Sequence, residues 1–104
     1  MRAIVKTSET VGFEYKTDYP TTRPVGDECQ VEIKAVAICG SDINVWKWNE
    51  TAKNLCPGKQ YLPFILGHEA AGKVVAVGPE STINIGQMVA VENHFFCSQC
   101  SLGV

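Results

Sequence analysis

The sequence predicts a mainly β domain, a small barrel or sandwich of short strands with one clear helical stretch. Three observations carry this. Apolar residues gather in short, often β-branched runs; Gly and Pro clusters separate the runs; and only Ser41 to Trp48 shows helical three- and four-residue spacing. At 104 residues the chain is one domain of ordinary size.

In chain order, Ala3-Ile4-Val5 and Gly12-Phe13-Glu14-Tyr15 suit the two arms of a hairpin. Tyr19 to Asp27, carrying Pro20, Pro24 and Gly26, is a loop. Gln30-Val31-Glu32-Ile33-Lys34-Ala35 alternates polar and apolar residues, the mark of a strand with one buried face. Continued with the same parity, Val31, Ile33, Ala35, Ala37 and Cys39 share that face, which puts the Cys39 thiol at its end. Ser41 is expected to cap the following helix, in which Ile43, Trp46 and Lys47 are helically spaced. Leu55 to Lys59 and Val77 to Ser81 are loops. Phe64-Ile65-Leu66, Lys73 to Val77 and Gln87 to Val91 complete the strand candidates.

Composition narrows the function. Apolar residues at 45% and charged ones at 19% exclude a disordered tail. A net charge of −2 leaves no electrostatic footprint for nucleic acid or for an anionic membrane. No apolar run approaches the roughly 18 residues of a membrane helix. Met1 to Lys6 turns polar too early for a secretory leader, so a soluble cytoplasmic protein is expected. No two of the nine glycines lie two residues apart, which excludes the G-x-G-x-x-G dinucleotide turn. A nicotinamide would have to be held by another segment.

The five cysteines are an odd count without signs of an oxidising compartment, which points to metal chemistry rather than a disulfide framework. Each alone also reads as a small buried apolar residue. Cys39 leads into Gly40-Ser41-Asp42, and His68 and Glu69 stand together between Gly67 and Gly72. Together they offer the thiolate, imidazole and carboxylate that zinc takes as ligands. On spacing alone, a buried cysteine and a surface His-Glu pair fit equally well.

Gly67-His68-Glu69, Gly72, Gly78 and Ser81 fit the signature G-H-E-x-x-G-x5-[GA]-x-x-[IVSAC] of zinc-containing alcohol dehydrogenases. Cys39-Gly40-Ser41-Asp42 is similar to that family's first zinc-ligand motif, and Cys97-Ser98-Gln99-Cys100 to the start of its structural-zinc lobe. The chain therefore resembles the N-terminal GroES-like domain of medium-chain dehydrogenases, a partly open β barrel with one or two short helices. Within the family, Cys39 to Glu50 and Glu92 to Cys97 resemble the threonine dehydrogenase branch, and polyol and diol dehydrogenases match the Trp48-Asn49-Glu50 stretch less well.

The resemblance implies a catalytic zinc held by Cys39 and His68, with Glu69 ligating it or standing close. It implies oxidation of a secondary alcohol, L-threonine at its 3-hydroxyl first, with NAD accepting the hydride once a nucleotide-binding domain supplies it. Ser41 occupies the proton-relay position, and Asp42 that of the carboxylate that orients the His68 ring. The family often continues the relay to a histidine where this chain has Asn44; His94 is the candidate substitute. Gly86-Gln87-Met88-Val89 replaces a common Gly-Asp-Arg-Val turn. Cys39 and His68 lie 29 residues apart, longer than expected for the threonine branch, which places an insertion in the 49–60 loop.

The lobe pattern C-x2-C-x2-C-x7-C meets Gly103 at its third position. Cys97 and Cys100 alone cannot close a tetrahedral site. Free thiols, a disulfide, a partial site with His94 and a metal-free terminus all stay open. Residues 1–104 thus read as a GroES-like zinc-binding catalytic domain, truncated in that lobe and lacking the nucleotide-binding domain, and expected to be inactive alone. The expected partner is a small-molecule alcohol, not nucleic acid or membrane, and self-association is compatible with the sequence. A polyol, diol or sugar dehydrogenase and an inactive zinc-binding or dimerising fragment are the alternatives.

Overall fold

The β-branched runs become strands, and the Gly/Pro clusters between them become turns. The computed structural model describes residues 1–55 and 61–93. These residues form β1 (Ala3–Lys6), β2 (Glu14–Lys16), β3 (Cys29–Ala37), α1 (Gly40–Lys47), α2 (Glu50–Leu55), β4 (Phe64–Ile65), β5 (Glu69–Val77) and β6 (Met88–Ala90). The expected hairpin forms, β1 pairing antiparallel with β2 and, on its other edge, with β4. A second antiparallel sheet has the order β3-β5-β6. Among the described residues, two three-stranded sheets and two short helices, without closure into a barrel, give the mainly β, partly open architecture that was expected. A radius of gyration of 15.5 Å, against roughly 13 Å for a tightly packed chain of this size, fits that openness.

The packed centre lies under the helices rather than between the sheets. Val45, Trp48 and Ala52 are buried together, with Phe13, Leu62, Phe64 and Leu66 closing over them from the β1-β2-β4 side. Val5 is also buried on β1, and Val74 is buried on β5.

Four local expectations need correction. The even parity of β3 does not survive, because register shifts against β5 fall between Gln30 and Val31 and between Ile33 and Ala35. Each shift interrupts the alternation of faces, and from Glu32 onward β3 is exposed, Ile33 and Val36 included. Cys39 therefore does not end a buried row. The helix is capped by Cys39 and not by Ser41, which lies within α1. Its inward face is Asp42, Val45 and Trp48, while Ile43 and Trp46 point outward. Finally, the part of the 49–60 loop that is described contains α2. Asn49 starts it, its side-chain oxygen accepting from the Ala52 N–H at 3.2 Å, and Lys53 pairs with Glu50 at 2.7 Å.

No helix among the described residues is long and apolar enough to cross a membrane.

Candidate metal centre

β3 delivers the chain to Cys39, whose extended backbone (φ −82°, ψ 157°) halts the strand and opens α1. At the third helical position Asp42 turns back, and its Oδ2 accepts the Cys39 N–H at 2.9 Å. That bond fixes the backbone from which the thiol projects. Asp42 is itself buried.

The second arm arrives from β4. Leu66 donates its N–H to the Ile4 carbonyl at 2.9 Å, which extends the β1-β4 pairing. Gly67 then takes φ +102°, a conformation that an L side chain rarely adopts, and the chain swings into His68 and the start of β5 at Glu69. Further along β5, Gly72 lets the backbone close on β3. A Cβ there would overlap the Glu32 carbonyl oxygen and lie 2.8 Å from a Val31 methyl.

Residues remote in sequence thereby meet. The ligand atoms of Cys39, His68 and Glu69 all lie within 4.8 Å of one another. Asp42 Oδ1 stands 3.6 Å from His68 Nδ1, so one carboxylate holds the Cys39 backbone with one oxygen and faces the imidazole with the other. With Nδ1 turned to Asp42, Nε2 is the ring nitrogen left for a cation. Cys39 and His68 are half-buried and Glu69 is exposed. A cavity of about 590 Å³ opens beside His68 and Glu69, walled chiefly by the small side chains of Ala35, Ala37, Ala70 and Ala90.

The electrostatics suit a thiolate. Hydrogen bonds from Ser41, through its side chain and its backbone, pull the Cys39 thiol below its ordinary value; the His68 ring adds to the pull, against partial burial and the Glu69 charge. In turn the hydrogen bond with Cys39, followed by the charge of Asp42, raises the His68 imidazole against partial burial. The metal-free pair therefore leans toward thiolate and imidazolium. A divalent cation would replace the imidazolium proton as the thiolate's positive partner.

Asn44, in the position where the relay histidine was looked for, is engaged structurally. Its side-chain oxygen accepts from the Asn49 amide at 2.9 Å, joining the end of α1 to the start of α2. His94, Cys97 and Cys100 lie outside the described residues. The double duty of Asp42 was half foreseen: the sequence pointed to its contact with His68, whereas its bond to the Cys39 N–H depends on Cys39 being the cap.

A mainly β, partly open fold thus brings a Cys-Gly-Ser-Asp turn against a Gly-His-Glu turn. The model for the alcohol dehydrogenase GroES-like domain matches residues 26–103, and the chain belongs to that family. L-threonine 3-dehydrogenase of Saccharopolyspora erythraea is 39% identical over 101 residues, covering 96% of this chain and 28% of the relative. L-threonine 3-dehydrogenase of Pyrococcus furiosus is 40% identical over 102 residues, with the same coverage of 96% and 28%. Among solved structures, D-arabinose dehydrogenase from Sulfolobus solfataricus superposes with a TM-score of 0.73 at 28% identity, covering 96% of this chain and 28% of that one. The chain thus spans little more than a quarter of the length of these relatives.

Proposed function

We propose that residues 1–104 are the zinc-holding catalytic domain of a cytoplasmic, NAD-dependent dehydrogenase that oxidises a secondary alcohol, L-threonine at its 3-hydroxyl. One observation carries the reading: Cys39, His68 and Glu69, from two separate turns, bring their ligand atoms within 4.8 Å of one another. The donor set fits zinc, which takes Cys sulfur, His nitrogen and carboxylate oxygen together. Neighbouring ligands around tetrahedral zinc lie roughly 3.5 Å apart, so a small inward movement of three side chains closes the set.

In this reading Cys39 and His68 hold the ion, Glu69 ligates it or stands beside it, and Asp42 keeps the imidazole aimed through Nδ1. Bound there, zinc supplies Lewis-acid polarisation of a substrate hydroxyl. Ser41, which follows Gly40 in the turn after Cys39, would take the proton that such a hydroxyl gives up and pass it toward solvent. The alanine-walled cavity beside Glu69 gives a small alcohol room to approach. NAD is to be held by a nucleotide-binding domain, since the sequence lacks the glycine turn for it.

The names of the curated relatives support threonine, and the D-arabinose dehydrogenase neighbour supports a sugar or polyol as second reading. The test is NAD reduction by the gene product carrying this domain, with L-threonine and sorbitol offered side by side. Turnover of L-threonine that disappears in Cys39→Ser is expected. Turnover of sorbitol alone would overturn the choice of substrate, and undiminished turnover in Cys39→Ser would overturn the metal site.

A further inference from the structure

Lys6 is a lysine with no exposed surface. Its ammonium donates to the Thr10 carbonyl at 2.5 Å, the Gly12 carbonyl at 3.0 Å and the Trp46 carbonyl at 3.4 Å. Three N–H donors thus meet three backbone acceptors, which is the full capacity of the group. The same nitrogen lies 5.2 Å from the ring centre of Trp48 and 5.6 Å from that of Phe13, inside cation–π range. No carboxylate among the described residues forms an ion pair with it. A buried cation without an acidic partner is costly unless its hydrogen bonds are complete, and here the surroundings complete them.

Where those partners sit matters more than their number. Thr10, Gly12 and Phe13 belong to the segment joining β1 to β2, and Trp46 and Trp48 form the end of α1. The Gly12 N–H also donates to the Trp46 carbonyl at 2.9 Å. The far end of α1 carries Cys39 as its cap and Asp42 one turn in. An eight-residue helix is a rod of about 12 Å, so pinning its last turn fixes where its first turn lies. Two residues before Lys6, the Ile4 carbonyl receives the Leu66 N–H, which anchors the arm that ends at His68. One four-residue strand, β1, therefore holds both arms of the candidate site: the Cys39 arm through the Lys6 side chain and the His68 arm through the Ile4 backbone.

We infer that Lys6 is a positioning residue for the metal centre, setting the approach of Cys39 and Asp42 to His68 by fastening the end of α1 to β1. This rests on the reading that Cys39, His68 and Glu69 hold a divalent metal. In Lys6→Met the stem remains, the charge and three donors go, and the end of α1 is released.

Cobalt(II) titration of the chain, followed by the thiolate-to-cobalt charge-transfer band that Cys39→Ser removes, tests both levels. Lys6→Met is expected to weaken cobalt binding about tenfold, as loss of a supporting contact does. Val74→Ala, a core deletion in the other sheet, is expected to lower the unfolding temperature and leave cobalt affinity unchanged. Lys6→Gln, which keeps two donors, takes the place of Lys6→Met if that variant does not fold, with the same direction expected. Parent-like affinity in the folded Lys6 variant overturns the role of Lys6 and leaves the metal centre standing. Equal weakening by Val74→Ala also overturns it, because the loss then follows stability alone. Absence of the thiolate band in the parent chain overturns the metal centre itself.

Discussion

Cys39 does two jobs with one residue: its backbone begins a helix and its sulfur faces a histidine from another turn. Hydrogen bonds from Ser41 and the neighbouring His68 ring favour its thiolate, so in the metal-free chain its alkylation should follow a pH midpoint below the roughly 8.5 of an ordinary cysteine. Removing a group that stabilises the thiolate raises the pKa. Ser41→Ala and His68→Asn should therefore both move the midpoint upward and slow alkylation at neutral pH, read by peptide mass spectrometry to single out Cys39. An unmoved midpoint in both variants would refute this electrostatic picture. Asp42→Asn should weaken metal binding by roughly 10- to 100-fold, since the carboxylate facing His68 Nδ1 loses its charge; titration with zinc checks it. The contiguous motifs around Cys39 and His68 were legible because each lies in one short string. The bond from Asp42 to the Cys39 N–H and the burial of Lys6 were not, because both arise from where a helix starts and what folds over it.

At the scale of elements, the hairpin and the strands were readable from period-two and β-branched runs, but their faces were not. Two register shifts in β3 cannot be seen in Gln30 to Ala35, where the alternation itself is regular. α2 escaped detection because it is six residues long and, among its described side chains, only Ala52 is buried. Asn49 begins α2 and also bonds Asn44, so Asn49→Ala should cost about 1 kcal/mol of unfolding free energy in urea melts. Gly72→Ala should cost more, about 1–3 kcal/mol, since the new methyl meets the Glu32 backbone of the paired strand and neither strand can yield cheaply. A Gly72→Ala chain as stable as the parent would contradict the close β3-β5 approach.

At the scale of the molecule, the two sheets of the described residues share no common ladder and are held by a modest packed centre beneath α1 and α2. The mainly β class followed from the turns and short runs, whereas the assignment of strands to two sheets did not, because pairing between distant strands is set by tertiary contacts. An ion shared by Cys39 and His68 would tie the end of β3 to the start of β5 at a point without covalent linkage. Zinc at 100-fold above its dissociation constant should add about 2.7 kcal/mol of stability and raise the unfolding temperature by roughly ten degrees or more. Cys39→Ser should abolish the part of that rise due to this site. A rise undiminished in the variant would assign the stabilisation to other ligands.

The most direct measurement is anomalous diffraction at the zinc edge from crystals of the chain grown with zinc. The account predicts a peak about 2.3 Å from Cys39 Sγ and about 2.0–2.1 Å from a ring nitrogen of His68, with Asp42 on the opposite ring nitrogen. A peak elsewhere on the chain, with Cys39 and His68 turned away from one another, would contradict it.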